Sequence, residues 1–339
     1  VEYSLAAAMR SAVALAEQVR GSTSPNPPVG CVVLDSSGVP IGEGATQPPG
    51  GPHAEVMALR AAGERARGGT AVVTLEPCAH HGRTPPCTDA LIAAGVAKVV
   101  YAVSDPNPVA SGGATTLREA GVQTQAGLLA DEVSRGPLRA WLHFVTHGRP
   151  HVTWKYAATL DGRVAAADGT SRWISSAESR EEVHELRRRV DAIVVGTGTV
   201  MIDNPTLTAR AADGTPEARQ PLRVVVGHTD LPEGARVLDD SAETLLARTH
   251  DPAEVLAELH ARGVVDVLLE GGPTLAGAFV GAGLVDRVLV YLAPTLLGGG
   301  PVALGASGVS TITEAHRLAV EEVTMSGPDV RISAVPVRN

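Results

Sequence analysis

Lysine is almost missing from this 339-residue chain. Only Lys98 and Lys155 occur, and arginine supplies every other basic side chain. Arginine is bulkier than lysine and cannot give up its proton, so a sequence that writes arginine nearly everywhere draws attention to the places where it does not. Lys98 lies just before a predicted strand, where no such argument applies. Cysteine is scarce too. Cys31, Cys78 and Cys87 make an odd count without disulfide spacing, which excludes a disulfide-built scaffold and points to a reducing cytosol. Aromatic residues are few, and no apolar run is long enough to span a bilayer. The N-terminus lacks the charged-then-apolar layout of a signal peptide, so a cytoplasmic location with no membrane partner is expected. Positive charge is also short. The formal net charge is −9 and the one basic run is Arg187-Arg188-Arg189, which speaks against a nucleic-acid partner. What is plentiful is glycine and proline, with ordinary apolar content. That mixture suits a loop-rich α/β enzyme, and the length favours two domains.

Two of the three cysteines fall in one stretch. It reads His53-Ala54-Glu55, then Glu76-Pro77-Cys78, then Pro85-Pro86-Cys87. One imidazole and two thiols are the ligand set of an open zinc site, with a fourth position left for water; a closed structural site has four protein ligands. Zinc lowers the pKa of bound water to about 7, and a carboxylate two residues from the imidazole can reach that water without binding the metal. Taken singly, each residue reads as a small buried thiol or a common dipeptide. Together, with each cysteine directly after a proline, they point to catalytic Zn²⁺ with Glu55 as the acid–base group. The generic zinc-deaminase pattern separates its cysteines by two residues; here eight residues separate Cys78 from Cys87.

Along the chain, Leu5, Met9, Ala12, Leu15 and Val19 predict one face of a helix over 5–19. Residues 29–34 and 39–44 predict a hairpin, with Cys31 in its core. Asn26, between Pro25 and Pro27, is a loop amide that either binds a base edge or caps a turn. A helix is predicted over 53–66, a strand over 70–75 and a helix from Cys87 to 94, where the helix dipole favours a thiolate. A strand over 96–103 exits into Asp105-Pro106-Asn107-Pro108, and 114–120 and 128–146 read as helices. The boundary falls near His147-Gly148-Arg149-Pro150. Beyond it come a strand over 151–158, a polar loop with Ser171 and Trp173, a helix over 176–190 and a strand over 191–195. The segment Gly196-Thr197-Gly198-Thr199 follows, and later strands are expected over 222–227, 264–270 and 285–292. Strand 264–270 runs into Glu270-Gly271-Gly272 and a helix starting at Pro273, which is either an anion site or a tight turn.

These residues resemble the bacterial bifunctional riboflavin-biosynthesis deaminase–reductases across nearly the whole chain. The first half carries Pro25-Asn26-Pro27, His53-Ala54-Glu55, the long inter-cysteine loop, which is this family's form, and Asp105-Pro106-Asn107-Pro108. The second half carries Lys155-x-Ala157-x-x-Leu160-Asp161-Gly162, Trp173-Ile174, Asp203-Asn204-Pro205 and Glu270-Gly271-Gly272-Pro273-Thr274. The resemblance implies a two-domain α/β protein: a cytidine-deaminase-like αβα sandwich over 1–149 and a dihydrofolate-reductase-like domain over 150–339. It implies zinc-dependent deamination of 2,5-diamino-6-(5-phosphoribosylamino)pyrimidin-4(3H)-one, then NADPH-dependent reduction of the ribosyl group to ribityl.

By position, the resemblance makes His53, Cys78 and Cys87 the zinc ligands and Glu55 the proton carrier, with Asn26, Arg83 and Asn107 on the deaminase substrate. Ala157, Trp173, Thr199, Asp203, Gly272, Pro273, Thr274, Leu275, Ala276, Gly277 and Ala278 would line the NADPH site. Ser171, Arg187, Leu207, Arg210 and Glu270 would touch the phosphorylated pyrimidine. Thr46 stands where family members often carry histidine. Lys155, on the strand face of Ala157, is either the reductase proton donor or a partner of Asp203 or Glu270. A homo-oligomer is the expected assembly. The competing readings are a zinc deaminase of nucleic-acid bases with a C-terminal binding module, and a non-enzymatic protein with structural zinc.

Overall fold

The computed structural model describes residues 4–80, 85–108 and 110–337. The chain divides into two compact units, Val1–Arg149 and Pro150–Asn339.

The first unit is built from α1 (Leu5–Val19), β1 (Gly30–Leu34), β2 (Pro40–Ala45), α2 (Ala54–Ala62), β3 (Thr70–Leu75), α3 (Cys87–Ala94), β4 (Lys98–Val103), α4 (Gly113–Glu119), β5 (Gln123–Ala126), α5 (Ala130–Arg135) and α6 (Arg139–His147). Its sheet has the order β2-β1-β3-β4-β5. The hairpin β1–β2 is antiparallel, as is β1 with β3, while β3, β4 and β5 run parallel.

Glycines show how closely two helices sandwich this sheet. A Cβ on Gly30 would lie 1.9 Å from the Ala12 carbonyl of α1, and one on Gly44 would lie 2.4 Å from the Ala54 carbonyl of α2. Gly44 pairs with Cys31, the neighbour of Gly30, so the two glycines face opposite sides. The helices therefore cover opposite faces. Close approach also explains why the buried stripe of α1 is Ala8, Met9, Ala12 and Ala16, rather than the predicted Leu5, Met9, Ala12, Leu15 and Val19. Small residues let the backbones meet, and the larger ones flank the contact. Cys31 is fully buried in this core.

Two further expectations change. The predicted helix over 53–66 is α2 followed by a short 3₁₀ turn, because Gly63 takes a positive φ of 59°. The predicted helix over 128–146 is two helices, α5 and α6, broken at Gly136-Pro137, where proline has no N–H to continue the ladder.

The second unit contains β6 (His151–Thr159), α7 (Ala177–Arg189), β7 (Ala192–Gly196), α8 (Thr197–Asp203), β8 (Leu222–Val226), β9 (Thr244–Ala247), α9 (Pro252–Ala261), β10 (Asp266–Leu269), α10 (Pro273–Gly281), β11 (Arg287–Ala293), β12 (Leu318–Ser326) and β13 (Asp329–Pro336). The sheet order is β12-β13-β11-β6-β10-β7-β8-β9. From β11 to β9 every pairing is parallel, and β13 and β12 add an antiparallel edge. The apolar core lies under the parallel strands, with Leu256, Leu259 and Phe279 from α9 and α10 packed on Val194, Val224 and Val267. The sequence reading placed β6, β7, β8, β10 and β11 but not β9, β12 or β13. In a parallel sheet ligands gather at the carboxyl ends of strands, and those ends are Thr159, Gly196, Val226, Ala247, Leu269 and Ala293.

Candidate functional site

Three elements bring the first constellation together. His53 is the residue that caps the N-terminus of α2, Glu55 lies in the first turn of that helix, and Cys87 opens α3. Cys78 follows three residues after β3 ends. The ligating atoms of His53, Cys78 and Cys87 all lie within 4.8 Å of one another. His53 Nδ1 is 3.2 Å from Cys87 Sγ and 3.6 Å from Cys78 Sγ. Donors on one tetrahedral zinc ion stand on the order of 3.5 Å apart, so the donor set fits a single zinc. Hydrogen bonding from Cys87, joined by His53, outweighs burial and holds the Cys78 thiol down to about 4. The Cys87 N–H adds a bond to the same sulfur at 3.4 Å.

Glu55 is only 4% exposed. Burial, and then the charge of Cys78, push its carboxyl above the usual range. A carboxyl so placed is suited to taking and returning a proton. His53, Glu55 and Cys78 open on a cavity of about 480 Å³ whose wall includes Asn26, Thr46 and Asn107. Thr46 is buried and turned to the backbone: its Oγ accepts from the Val29 N–H at 3.1 Å. Arg83 lies outside the described residues.

Sequence reasoning missed three contributors here. Glu76 accepts from the Asp105 N–H at 3.1 Å and from the Ala114 N–H at 3.0 Å, tying the end of β3 to the Asp105-Pro106-Asn107-Pro108 loop and to α4. Trp141 and Phe144, three residues apart on α6, line the cavity. In a chain with three Trp and two Phe, that spacing on one helix was the available signal.

In the second unit, the carboxyl end of β10 delivers Glu270, and α7 delivers Arg187. The guanidinium grips both carboxylate oxygens, Nε to Oε1 at 2.7 Å and Nη2 to Oε2 at 2.8 Å. Burial alone would raise the Glu270 carboxyl, but Arg187 and then Lys155 outweigh it and hold it down to about 2. Lys155 points from the middle of β6 to the same place. Burial depresses its ammonium below the ordinary value, Glu270 partly opposes this, and Arg187 adds to it. The Lys155 Nζ stands 5.9 Å from the centroid of the Tyr291 ring. Among the described residues, no hydrogen bond or ion pair joins it to Asp203 or Glu270.

Two cavities, of about 850 and 730 Å³, share Lys155, Ala157, Ser171 and Glu270 as walls. The larger is also lined by Arg187, Leu207 and Arg210, and by Trp173, which is expected at the cofactor site but lies here instead, with the Arg180 guanidinium 4.4 Å from the centroid of its ring. The smaller is also lined by Thr199, Asp203, Gly272 and Pro273, and by Thr274, Leu275 and Ala278. Ala276 and Gly277 turn inward instead: Ala276 is fully buried, and a Cβ on Gly277 would lie 2.4 Å from the Ala306 carbonyl. The aspartate of Leu160-Asp161-Gly162 clamps loops, accepting from the Leu297 and Gly298 N–H groups at 3.2 and 2.7 Å.

Comparison with known proteins agrees with this division. The model of the cytidine and deoxycytidylate deaminase zinc-binding region matches residues 3–103, and that of the RibD C-terminal domain matches residues 150–332. The riboflavin biosynthesis protein RibD of Mycobacterium tuberculosis is 56% identical over 328 residues, 97% of this chain and 96% of that one. The chain belongs to the RibD family. The Escherichia coli RibD is 39% identical over 371 residues, 98% of this chain and 99% of its own length. The crystal structure of a Thermotoga maritima diaminohydroxyphosphoribosylaminopyrimidine deaminase/5-amino-6-(5-phosphoribosylamino)uracil reductase superposes with a TM-score of 0.88 at 35% identity, covering 98% of this chain and 99% of that one. This RibD-family chain is thus a bifunctional deaminase and reductase of riboflavin biosynthesis, with a zinc-binding deaminase domain followed by a reductase domain. No described helix is long and apolar enough to cross a membrane.

Proposed function

We propose that residues 1–149 deaminate 2,5-diamino-6-(5-phosphoribosylamino)pyrimidin-4(3H)-one and that residues 150–339 reduce the deaminated product to 5-amino-6-(5-phosphoribitylamino)uracil. The observation that carries the second half is the meeting of two cavities at Lys155, Ala157, Ser171 and Glu270. A hydride donor and its acceptor need adjoining sites with one common wall.

In the deaminase, His53, Cys78 and Cys87 hold Zn²⁺, which when bound supplies the Lewis acidity for water to attack C2 of the pyrimidine. Glu55 takes a proton from that water and returns it to the departing amine, so that ammonia leaves and oxygen replaces it. Asn26 and Asn107 orient the ring through their amides, and Arg83 is assigned to the same substrate. In the reductase, Thr199, Asp203, Gly272, Pro273, Thr274, Leu275 and Ala278 of the smaller cavity would hold NADPH, which would supply hydride for C1′. The bare backbone at Gly271 and Gly272, ahead of α10, supports diphosphate binding there. Arg210 and Arg187, the latter with its fork already held by Glu270, supply positive charge for the substrate phosphate in the larger cavity, beside Ser171 and Leu207, while Trp173 closes its side. Lys155 delivers the proton that the opening ribosyl ring requires, and Glu270 keeps that ammonium charged until it does so.

The substrate is a small phosphorylated pyrimidine, and neither a nucleic acid nor a membrane is a partner. The location is the cytoplasm. The expected homo-oligomer is supported by edge strand β12, where Val320, Val323 and Met325 are each about 60% exposed. Mass spectrometry of the diaminopyrimidine incubated with the protein tests the whole reading. Without NADPH the amine is exchanged for oxygen and nothing more; with NADPH a two-electron reduction follows. Unchanged substrate under both conditions overturns it.

A further inference from the structure

The smaller reductase cavity has a direction. At one end stand Lys155 of β6 and Glu270, just after β10. In its middle lie Gly272, which caps α10, and Gly196, which caps α8 after β7. At the far end are Val226 of β8 and His250, three residues beyond β9. The strand order from β6 to β9 is β6-β10-β7-β8-β9. Neighbouring strands stand about 4.8 Å apart, so four steps cover about 19 Å. That is the span of an extended dinucleotide from its redox ring to its adenosine ribose.

Along this cavity, the described lining side chains able to carry positive charge are two: Lys155 and His250. Lys155 sits with Glu270 at the hydride end, where a proton is needed. The adenosine end is left with His250. The imidazole of His250 is braced edge-on by His228 from the loop after β8, with ring centroids 4.8 Å apart and planes at 77°. Arg248, two residues before it, donates to the His228 carbonyl and to Asp230 Oδ1, both at 2.8 Å. The nearby carboxylates are engaged: Asp230 by Arg248, Glu254 by the Thr249 hydroxyl, and Asp251 by the Ala253 N–H at the start of α9.

We propose that His250, braced by His228, recognises the 2′-phosphate of the adenosine ribose and is the residue that selects NADPH over NADH. This rests on the cofactor reading above. A phosphate monoester brings about −1.5 to −2 charges and strong acceptor oxygens, and a hydrogen bond to an ionised acceptor is roughly twice as strong as a neutral one. NADH presents a hydroxyl at that position, for which one exposed imidazole offers little. Arg248 adds positive potential at the same rim, reduced by Asp230.

The test needs no turnover. Isothermal titration calorimetry on the full-length protein compares 2′,5′-ADP with 5′-ADP, which differ only in the 2′-phosphate. Wild-type protein is expected to bind 2′,5′-ADP at least about ten-fold more tightly. His250→Gln should lose most of that preference by weakening 2′,5′-ADP alone, His228→Ala should lose part of it, and His250→Arg should keep it. Equal binding of the two nucleotides by wild type, or equal weakening of both in His250→Gln, overturns the assignment while leaving the cofactor site standing. Wild-type protein that binds neither nucleotide overturns the cofactor site itself, and the assignment with it.

Discussion

The deaminase centre and the reductase cleft are assembled on opposite plans. The first draws its three candidate zinc ligands and its carboxyl from one stretch, His53 to Cys87, placed by the starts of two helices and the end of one strand. The second draws Lys155 from β6, Ser171 from a loop, Arg187 from α7, Asp203 from α8 and Glu270 from the end of β10. A metal needs donors within a few ångströms, and short spacings deliver them. A dinucleotide beside a second substrate needs a long trough, and a parallel sheet, each strand ending in its own loop, supplies one. The lesson is that chemistry concentrated in sequence survives without topology, whereas chemistry distributed over a sheet exists only through it.

The strongest way to break this contrast is Cys78→Ala. Removing one of three donors should empty the zinc site and abolish deamination, while reduction of the already deaminated substrate continues. Metal analysis and separate assays of the two half-reactions check it; full zinc content in the variant, or loss of both activities, contradicts the two-centre account. Next in size is Glu55→Gln. The side chain lies against the cluster without belonging to it, so zinc should remain while deamination drops by at least about 10²-fold. Near-normal turnover in the metal-loaded variant would remove Glu55 from the mechanism.

The same contrast governs what could be read from the sequence. His53, Glu55, Cys78 and Cys87 declare a metal centre because few other arrangements of an imidazole, two thiols and a carboxyl are useful together. Hydrophobic runs located β1, β3, β7 and β8 to within a residue or two. The polar strand β5 (Gln123–Ala126) escaped because three of its four residues are polar and it lies at the sheet edge. The pair β12–β13 escaped for a related reason: much of β12 is exposed, so its pattern is set by neighbours rather than by burial. In the reductase cleft, residue type alone said little. Arg187 on a charged helix is indistinguishable from a solvated arginine until Glu270, 83 positions away, is seen to receive it. Those positions came from the resemblance and not from their chemistry.

Lys155→Arg sharpens the second half of the comparison. Burial depresses the Lys155 ammonium, which makes it a better proton donor near neutrality. Arginine keeps the positive charge beside Glu270 but gives up no proton. Nucleotide binding should persist, deamination should be untouched, and reductase turnover should fall by about 10- to 10²-fold. The wild-type rate should also decline as pH rises through the Lys155 pKa, at a pH below the ordinary lysine value, because the donor is then deprotonated. The Lys155→Arg residual rate should lack that decline. A variant that reduces near the wild-type rate leaves Lys155 as a charge that steadies Glu270.

The smallest expected effect concerns Thr46, at the position where the resemblance leads one to expect histidine. Its position on the deaminase cavity wall invites a substrate contact, but its hydroxyl is already used. Oγ accepts from the Val29 N–H at 3.1 Å and donates to the Val29 carbonyl at 3.4 Å, at the entry to β1. Thr46→Val keeps the shape and strands a buried N–H, a loss of roughly 1–3 kcal/mol. Denaturant unfolding should show that loss, while the deaminase KM stays within about two-fold, because no partner of the substrate has been removed. Thr46→Ser, which keeps the hydroxyl, should recover most of the stability. If Thr46→Val instead raises KM with stability unchanged, the threonine has inherited the histidine's contact. The deaminase pocket would then be held by side-chain chemistry at a position where the structure shows backbone support.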